Sequence, residues 1–162
     1  MKKIAIISDT HMSSIEPWFE KAYSNVLSQA DYIFHCGDHT SADVHHYLLQ
    51  HERLLAARGN CDWGDGLGEL PQVATATIEG FKIAVTHGWG DRPGVPGRLT
   101  QSFSSDEFDI VCYGHTHTRN WVEANGMYLL NPGSFGEETH SYAILTLEEG
   151  EGPEVVFKSY QE

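Results

Sequence analysis

The residues able to do chemistry fall in five short clusters: Asp9-Thr-His11, Gly37-Asp38, Gly59-Asn60-Cys61-Asp62, His87-Gly88 and Gly114-His115-Thr-His117. Each closes an apolar run. Taken singly, Asp9 or Asn60 in such a place is more often a helix cap or a turn than a ligand. Asp-x-His and His-x-His carry more, because residues i and i+2 of an extended segment point to the same side. Imidazole nitrogen with carboxylate oxygen makes a mixed donor set, suited to Mn, Fe, Zn, Ni or Co better than to Ca or Mg. Five clusters in one chain point to metal-assisted chemistry rather than to scattered surface histidines.

The elements that must position them can be read from hydrophobic periodicity. Residues 3–8 form a β-branched run suited to a strand covered on both faces. Pro17 fits a helix first turn, and Phe19, Ala22, Val26, Leu27 and Ala30 fall at helical spacings through residue 30. A second strand is expected over 31–36, a second helix over 41–52 and a third strand over 54–57. This β-α-β-α-β order implies parallel strands with right-handed crossovers. The second half reads as hairpins: 73–78 with 81–86 across Glu79-Gly80, 120–124 with 127–130 across Asn125-Gly126, and 141–147 with 154–160. Residues 109–113 read as a buried strand. The stretch 88–97, with four glycines and two prolines, reads as a loop. Ligands of parallel sheets bind at the carboxyl ends of strands, so the five clusters are expected to share one rim.

Composition narrows the partners. The chain has 162 residues, fitting a single domain over 1–162, and 23 acidic against 10 basic residues, a formal charge of −13. Such a field argues against a stable nucleic-acid partner, which wants clustered Lys and Arg. No apolar stretch approaches the roughly 20 residues needed to span a bilayer, so no membrane is expected. The N-terminal segment lacks the features of a signal peptide, and the three cysteines read as buried free thiols, so a cytoplasmic setting is expected. Exposed strands of the C-terminal hairpin leave room for a homodimer or higher homo-oligomer.

The ordered set D9-x-H11, G37-D38, G59-N60-x-D62, H87-G88 and G114-H115-x-H117 resembles the calcineurin-like metallophosphoesterase superfamily, in particular its small single-domain bacterial and archaeal phosphodiesterase branch. The resemblance runs from the first strand through Asn131-Pro-Gly-Ser134. It implies an α/β fold, a four-layer αββα sandwich of two mixed β-sheets flanked by helices, with two divalent metal ions at one sheet edge. Mn2+ is the expected metal, with Ni2+, Fe2+, Co2+ and Zn2+ as alternatives. Carried over by position, Asp9, His11 and His117 hold the first ion, Asn60, His87 and His115 the second, and Asp38 bridges them. Asp38, Asn60 and His115 are the implied catalytic residues. The implied activity is hydrolysis of a small phosphodiester by a metal-bridging hydroxide, the alternatives being a phosphomonoesterase or a non-catalytic interaction scaffold of the same fold. Two ions bring four positive charges, of which Asp9, Asp38 and the hydroxide cancel three. The site is then locally positive and matches the single charge of a diester.

Cys61 departs from the pattern, standing where many members carry a His proposed to protonate the leaving oxygen. A thiol near its reference pKa of about 8.5 is a poor substitute, so esters with good leaving groups are the expected substrates. Asp62 is either a second-layer partner that orients a ligand or a turn cap. Arg92 and Arg98, in the Gly/Pro-rich stretch, are candidates to reach the phosphate, as is His39 beside Asp38. Trp89 either stacks on a substrate ring or packs its loop.

Overall fold

In the first apolar run, β1 (Lys2–Ile7), alternate side chains serve two different cores: Ile4 and Ile6 face one, Ala5 and Ile7 the other. Burial on both faces is why this strand is continuously apolar rather than alternating. The computed structural model describes residues 1–64 and 66–162. After β1 come α1 (Pro17–Asn25), β2 (Tyr32–His35), α2 (Ala42–Leu48), β3 (Leu54–Ala56), β4 (Val73–Ile78) and β5 (Phe81–Thr86). They are followed by α3 (Val95–Ser102), β6 (Ile110–Cys112), β7 (Asn120–Ala124), β8 (Met127–Asn131), β9 (Ser141–Leu147) and β10 (Glu154–Ser159).

These strands make two mixed five-stranded sheets, ordered β10-β9-β1-β2-β3 and β4-β5-β6-β8-β7. As expected, β1, β2 and β3 run parallel, with Ile7 paired to His35 and His35 to Ala56. The antiparallel attachment of β9 to β1 was not readable from the sequence. Three clusters of buried side chains fill the three spaces of a four-layer stack. Ile4, Ile6 and Phe34 meet Ile83, Val85 and Ile110 between the sheets. Phe19, Leu27 and Leu48 cover Ile7 and Ile33 on one outer face. Val95 and Leu99 cover Ala84, Val111 and Leu129 on the other. Each such fully buried Ile, Leu or Phe contributes about 1.5–3 kcal/mol. The strand ends from which the chemistry-bearing loops depart are therefore fixed.

The Glu79-Gly80 and Asn125-Gly126 turns have φ of 51° and 82°, and 53° and 80°, the double left-handed geometry of a tight hairpin. Three expectations need correction. The first helix stops at Asn25, because Val26 leaves helical geometry (φ −127°) and a separate 3-10 turn, Leu27–Gln29, follows. The second helix ends at Leu48 rather than 52; Ser41 starts it by accepting a hydrogen bond from the Asp43 N–H at 3.1 Å. The stretch 88–97 is not all loop. A 3-10 turn, Arg92–Gly94, leads into α3, where Pro96 sits in the first turn and needs no N–H. Val95 and Leu99, one turn apart, supply the buried face that glycine and proline content obscured. No helix among the described residues is long and apolar enough to cross a membrane.

Candidate metal centre

The loops after β1, β2, β3, β5 and β6 bring Asp9, His11, Asp38, Asn60, His87, His115 and His117 together. The means differs from the expected alternation along an extended chain. Asp9, His11, Asp38, His115 and His117 all lie in the left-handed region, at φ of 55°, 44°, 63°, 72° and 63°. The backbone therefore turns at each ligand instead of running on as a strand. Such conformations cost of the order of 1–3 kcal/mol each and persist only where the surroundings impose them. Two glycines allow the crowding. A Cβ on Gly59 would collide with the Asp38 carboxylate, and one on Gly114 with the Ser8 hydroxyl.

Hydrogen bonds divide each imidazole into an outer and an inner nitrogen. His87 Nδ1–H donates to the Cys36 carbonyl (2.7 Å), His115 Nε2–H to the Gly90 carbonyl (2.7 Å) and His117 Nδ1–H to Glu137 Oε1 (2.7 Å). His11 Nδ1 pairs with the Thr40 hydroxyl at 3.2 Å. In every ring the other nitrogen faces the centre. A ligating histidine is oriented this way, its second nitrogen tied to a carbonyl or carboxylate. Glu137, Thr40 and the two carbonyls lie outside any motif, and the sequence held no signal for them.

The carboxylates divide in the same manner. Asp9 Oδ2 accepts from the Ser8 hydroxyl (2.7 Å) and the His115 N–H (3.2 Å), leaving Oδ1 buried with no hydrogen-bond partner among the described residues. Three Nε2 atoms surround that oxygen at wider spacing: His117 at 3.3 Å, His11 at 3.6 Å and His87 at 3.9 Å. Asp38 Oδ1 accepts from the Cys61 N–H (2.9 Å), while Oδ2 lies 3.5 Å from His11 Nε2 and 3.2 Å from His87 Nε2. Asp38 thus stands between the two groups of ligands. Among the described residues, the donor atoms of Asp9, His11 and His117 lie within 4.8 Å of one another, as do those of Asp9, Asp38 and His87.

Near His87 the donors face one another directly. With its Nδ1–H committed to Cys36, its Nε2 presents a lone pair. That atom meets Asn60 Oδ1 at 3.0 Å and His115 Nδ1 at 3.3 Å, both acceptors in this arrangement. In the neutral ring these converging lone pairs repel, and only a metal ion or a shared proton among them relieves the repulsion. The donor set therefore fits a metal ion in competition with protons.

Acid–base properties follow from the same packing. Burial pushes the Asp9 carboxyl up, but His11, His117, His87 and the Ser8 hydroxyl outweigh it and hold it well below the usual range. Asp38 is likewise lowered, burial being overcome chiefly by His87. Burial pulls the His87 imidazole down, yet Asp38 and Asp9 raise it above its ordinary value. Asp9 raises His117 against burial and the charge of Arg92. Without metal these groups hold protons among themselves, so metal and proton compete for the same atoms.

Asp62 ties the loops together from beneath. Its carboxylate accepts the N–H groups of Gly59 (2.7 Å), His39 (2.8 Å), Asp38 (3.0 Å) and Thr40 (3.1 Å) and pairs with His39 Nδ1 (3.1 Å). It both closes its own turn, through Gly59, and fastens the loop that carries Asp38. His39 is fully buried, stacked on His35 at 3.6 Å, and so does not reach a ligand in solution as its position beside Asp38 had suggested. Arg98 is also committed: its guanidinium donates to the Trp89 carbonyl (2.6 Å), to Asp91 Oδ1 (2.9 Å) and to the Asp91 carbonyl. Arg92 remains at the rim, lining a shallow cavity with Thr116 and Thr118 beside His117. Cys61 Sγ comes within 4.8 Å of donor atoms of His11 and Asp38. Burial and the Asp38 carboxylate push its thiol up, making it a weaker acid than a free cysteine.

Residues 1–150 match the family model of the calcineurin-like phosphoesterase superfamily domain. The chain is 32% identical over 152 residues to the probable metallophosphoesterase YsnB of Bacillus subtilis, covering 90% of this chain and 84% of that protein. It is 28% identical over 144 residues to phosphodiesterase MJ0936 of Methanocaldococcus jannaschii, covering 81% and 82%. In fold it is similar to vacuolar protein sorting 29 from Cryptosporidium parvum, with a TM-score of 0.73 at 19% identity over 99% of this chain and 98% of that one.

Proposed function

Because the chain belongs to the calcineurin-like phosphoesterase superfamily, a metal-dependent family, we propose that it is a dinuclear-metal phosphodiesterase acting on small diesters. The observation that carries this reading is the convergence of the inner ring nitrogens of His87 and His115 and of Asn60 Oδ1 beside Asp9 Oδ1, which has no hydrogen-bond partner among the described residues. A buried anionic oxygen without a donor is costly unless a cation meets it. Asp9, His11 and His117 would hold one ion and Asn60, His87 and His115 the other, Asp38 serving both. When bound, such ions neutralise phosphoryl oxygens and make a water acidic enough to attack at neutral pH. Mn2+ suits the nitrogen and oxygen donors, and the three free cysteines suit a cytoplasmic setting.

The chain's own residues set the rest. Glu137, Gly90, Cys36 and Thr40 fix which nitrogen of each ring faces inward. Arg92, whose charge is felt by His117, would meet a non-bridging phosphate oxygen. The weakly acidic Cys61 thiol gives little help to a poor leaving group, so aryl esters should be cleaved faster than alkyl esters. The test is a panel of bis(4-nitrophenyl) phosphate, 4-nitrophenyl phosphate and dimethyl phosphate with the Mn2+-loaded protein. The aryl diester should turn over fastest, and Asp38→Ala should abolish turnover. Preference for the monoester would make the protein a phosphomonoesterase. Absence of turnover with full metal loading would favour a scaffold.

A further inference from the structure

Beside the metal centre lies a cleft of about 780 Å3 that shares Asn60 and His87 with it. Its remaining lining includes Trp63, Trp89, Phe103 and Val73. Trp63 is 79% exposed and Trp89 46%, large apolar rings left in water at the mouth of a concave site. With Val73 they make three of the seven exposed large hydrophobics among the described residues. Their concentration on one wall-and-floor surface next to ligands is a feature that fold stability does not ask for.

Both indoles are tied to the metal centre through the backbone. Trp89 precedes Gly90, whose carbonyl holds His115 at 2.7 Å, and its own carbonyl is held by Arg98 at 2.6 Å. This explains what Arg98 does: it stiffens the loop that carries the ring. Trp63 follows Asp62, whose carboxylate fastens the Asp38 and Gly59 N–H groups at 3.0 and 2.7 Å. The backbone that carries each ring is thus tied to a different set of the proposed ligands. Arg58 is the one Lys or Arg lining the cleft among the described residues, and it donates to the Gly68 carbonyl at 2.9 Å. A nucleic-acid strand, which needs an array of cations, is not the occupant this surface fits.

We propose that the cleft is a subsite for a planar aromatic group, nucleobase or aryl, esterified to the phosphate that the metal centre binds, with Trp63 and Trp89 as its stacking residues. The proposal rests on reading the neighbouring centre as a phosphoester site. Stacking a base on an aromatic side chain is worth a factor of about 5 to 150 in affinity. The volume falls within the roughly 300–1,000 Å3 of ordinary small-molecule sites.

Calorimetric titration of the Mn2+-loaded protein with AMP, phenyl phosphate and methyl phosphate tests this without depending on turnover. AMP and phenyl phosphate should bind at least about fivefold tighter than methyl phosphate. In Trp63→Ala/Trp89→Ala that ratio should fall to about one, and in the paired Trp→Phe variant most of it should return, because an aromatic face remains. AMP exceeding phenyl phosphate marks a nucleobase subsite; equality marks a general aryl one. Equal binding of aromatic and methyl phosphates by the wild type, or a ratio that survives in the double Ala variant, would overturn the proposal. So would a wild-type dimer that the double Ala variant dissociates, since a second copy would then fill the cleft. An aryl preference without diester turnover would refute the proposed activity and keep the subsite; diester turnover without the preference would do the reverse.

Discussion

Two groups of histidines lie at the same end of the same sheets and do different work. His11, His87, His115 and His117 each commit one nitrogen to the protein and turn the other toward a shared centre. Beneath them His35 uses both nitrogens, Nδ1 accepting the Gly37 N–H at 3.0 Å and Nε2–H donating to the Thr10 hydroxyl at 3.1 Å. Burial, reinforced by His39, holds its imidazole well below the ordinary value, so it is a neutral structural ring. His39 pairs with Asp62 and is sealed against solvent, its Nε2 buried with no partner among the described residues. Residue type and strand-end position do not separate these groups. The accounting of ring nitrogens, together with access from outside, does.

Breaking the upper group should have the largest effect. His87→Ala or Asp38→Ala should lower diester turnover by more than about a hundredfold and strip metal, since even outer partners of ligands cost 10–100-fold. His35→Phe should retain metal while losing stability in urea, and metal loss there would erase the distinction between the groups. Next comes Asp62→Ala, which leaves three buried N–H groups and the part-buried one of Thr40 without their acceptor. Unfolding should become easier by about 3–5 kcal/mol, as when one partner of a buried charge pair is removed. Glu137→Ala should weaken binding of one ion by about tenfold, with little change in thermal stability of the metal-free protein.

The smallest effect is in pH dependence. Burial raises the Asp62 carboxyl, but His39 and the backbone N–H groups outweigh it and depress it below the unfolded value of about 3.9. Its stabilisation is therefore complete above about pH 4 and is lost as pH falls through the folded value. Urea midpoints should fall for the wild type as pH drops below about 4, with a shallower slope for Asp62→Asn. In the metal centre the sign concerns binding: His87 and His117 hold protons more tightly than free histidine, so metal affinity should fall with pH already where a free histidine is still deprotonated.

Much of this was legible in the chain. The Asp9, His11, His87, His115 and His117 clusters are short, polar and placed after apolar runs, and a strand-end rim gathers them. The parallel β1-β2-β3 unit and two of the hairpin turns follow from alternation and from Glu79-Gly80 and Asn125-Gly126. What was not legible depends on distant pairing. Glu137 reaches His117 from a loop whose Phe135 and Gly136 N–H groups bond the Ser8 and Asp9 carbonyls, contacts spanning most of the chain. Helix α3 was hidden because glycine and proline dominate its start, while its only apolar signal, Val95 and Leu99, is two residues long. The left-handed turns at Asp9, His11 and His115 could not be read either, since only the neighbours that crowd them, with glycine at 59 and 114, make them stable.

Titrating the metal-free chain with Mn2+ by calorimetry tests the two-ion centre most directly. The wild type should take up two equivalents, His117→Ala should lose one class of site and His115→Ala the other. A single equivalent in the wild type, or identical losses in the two variants, would contradict it.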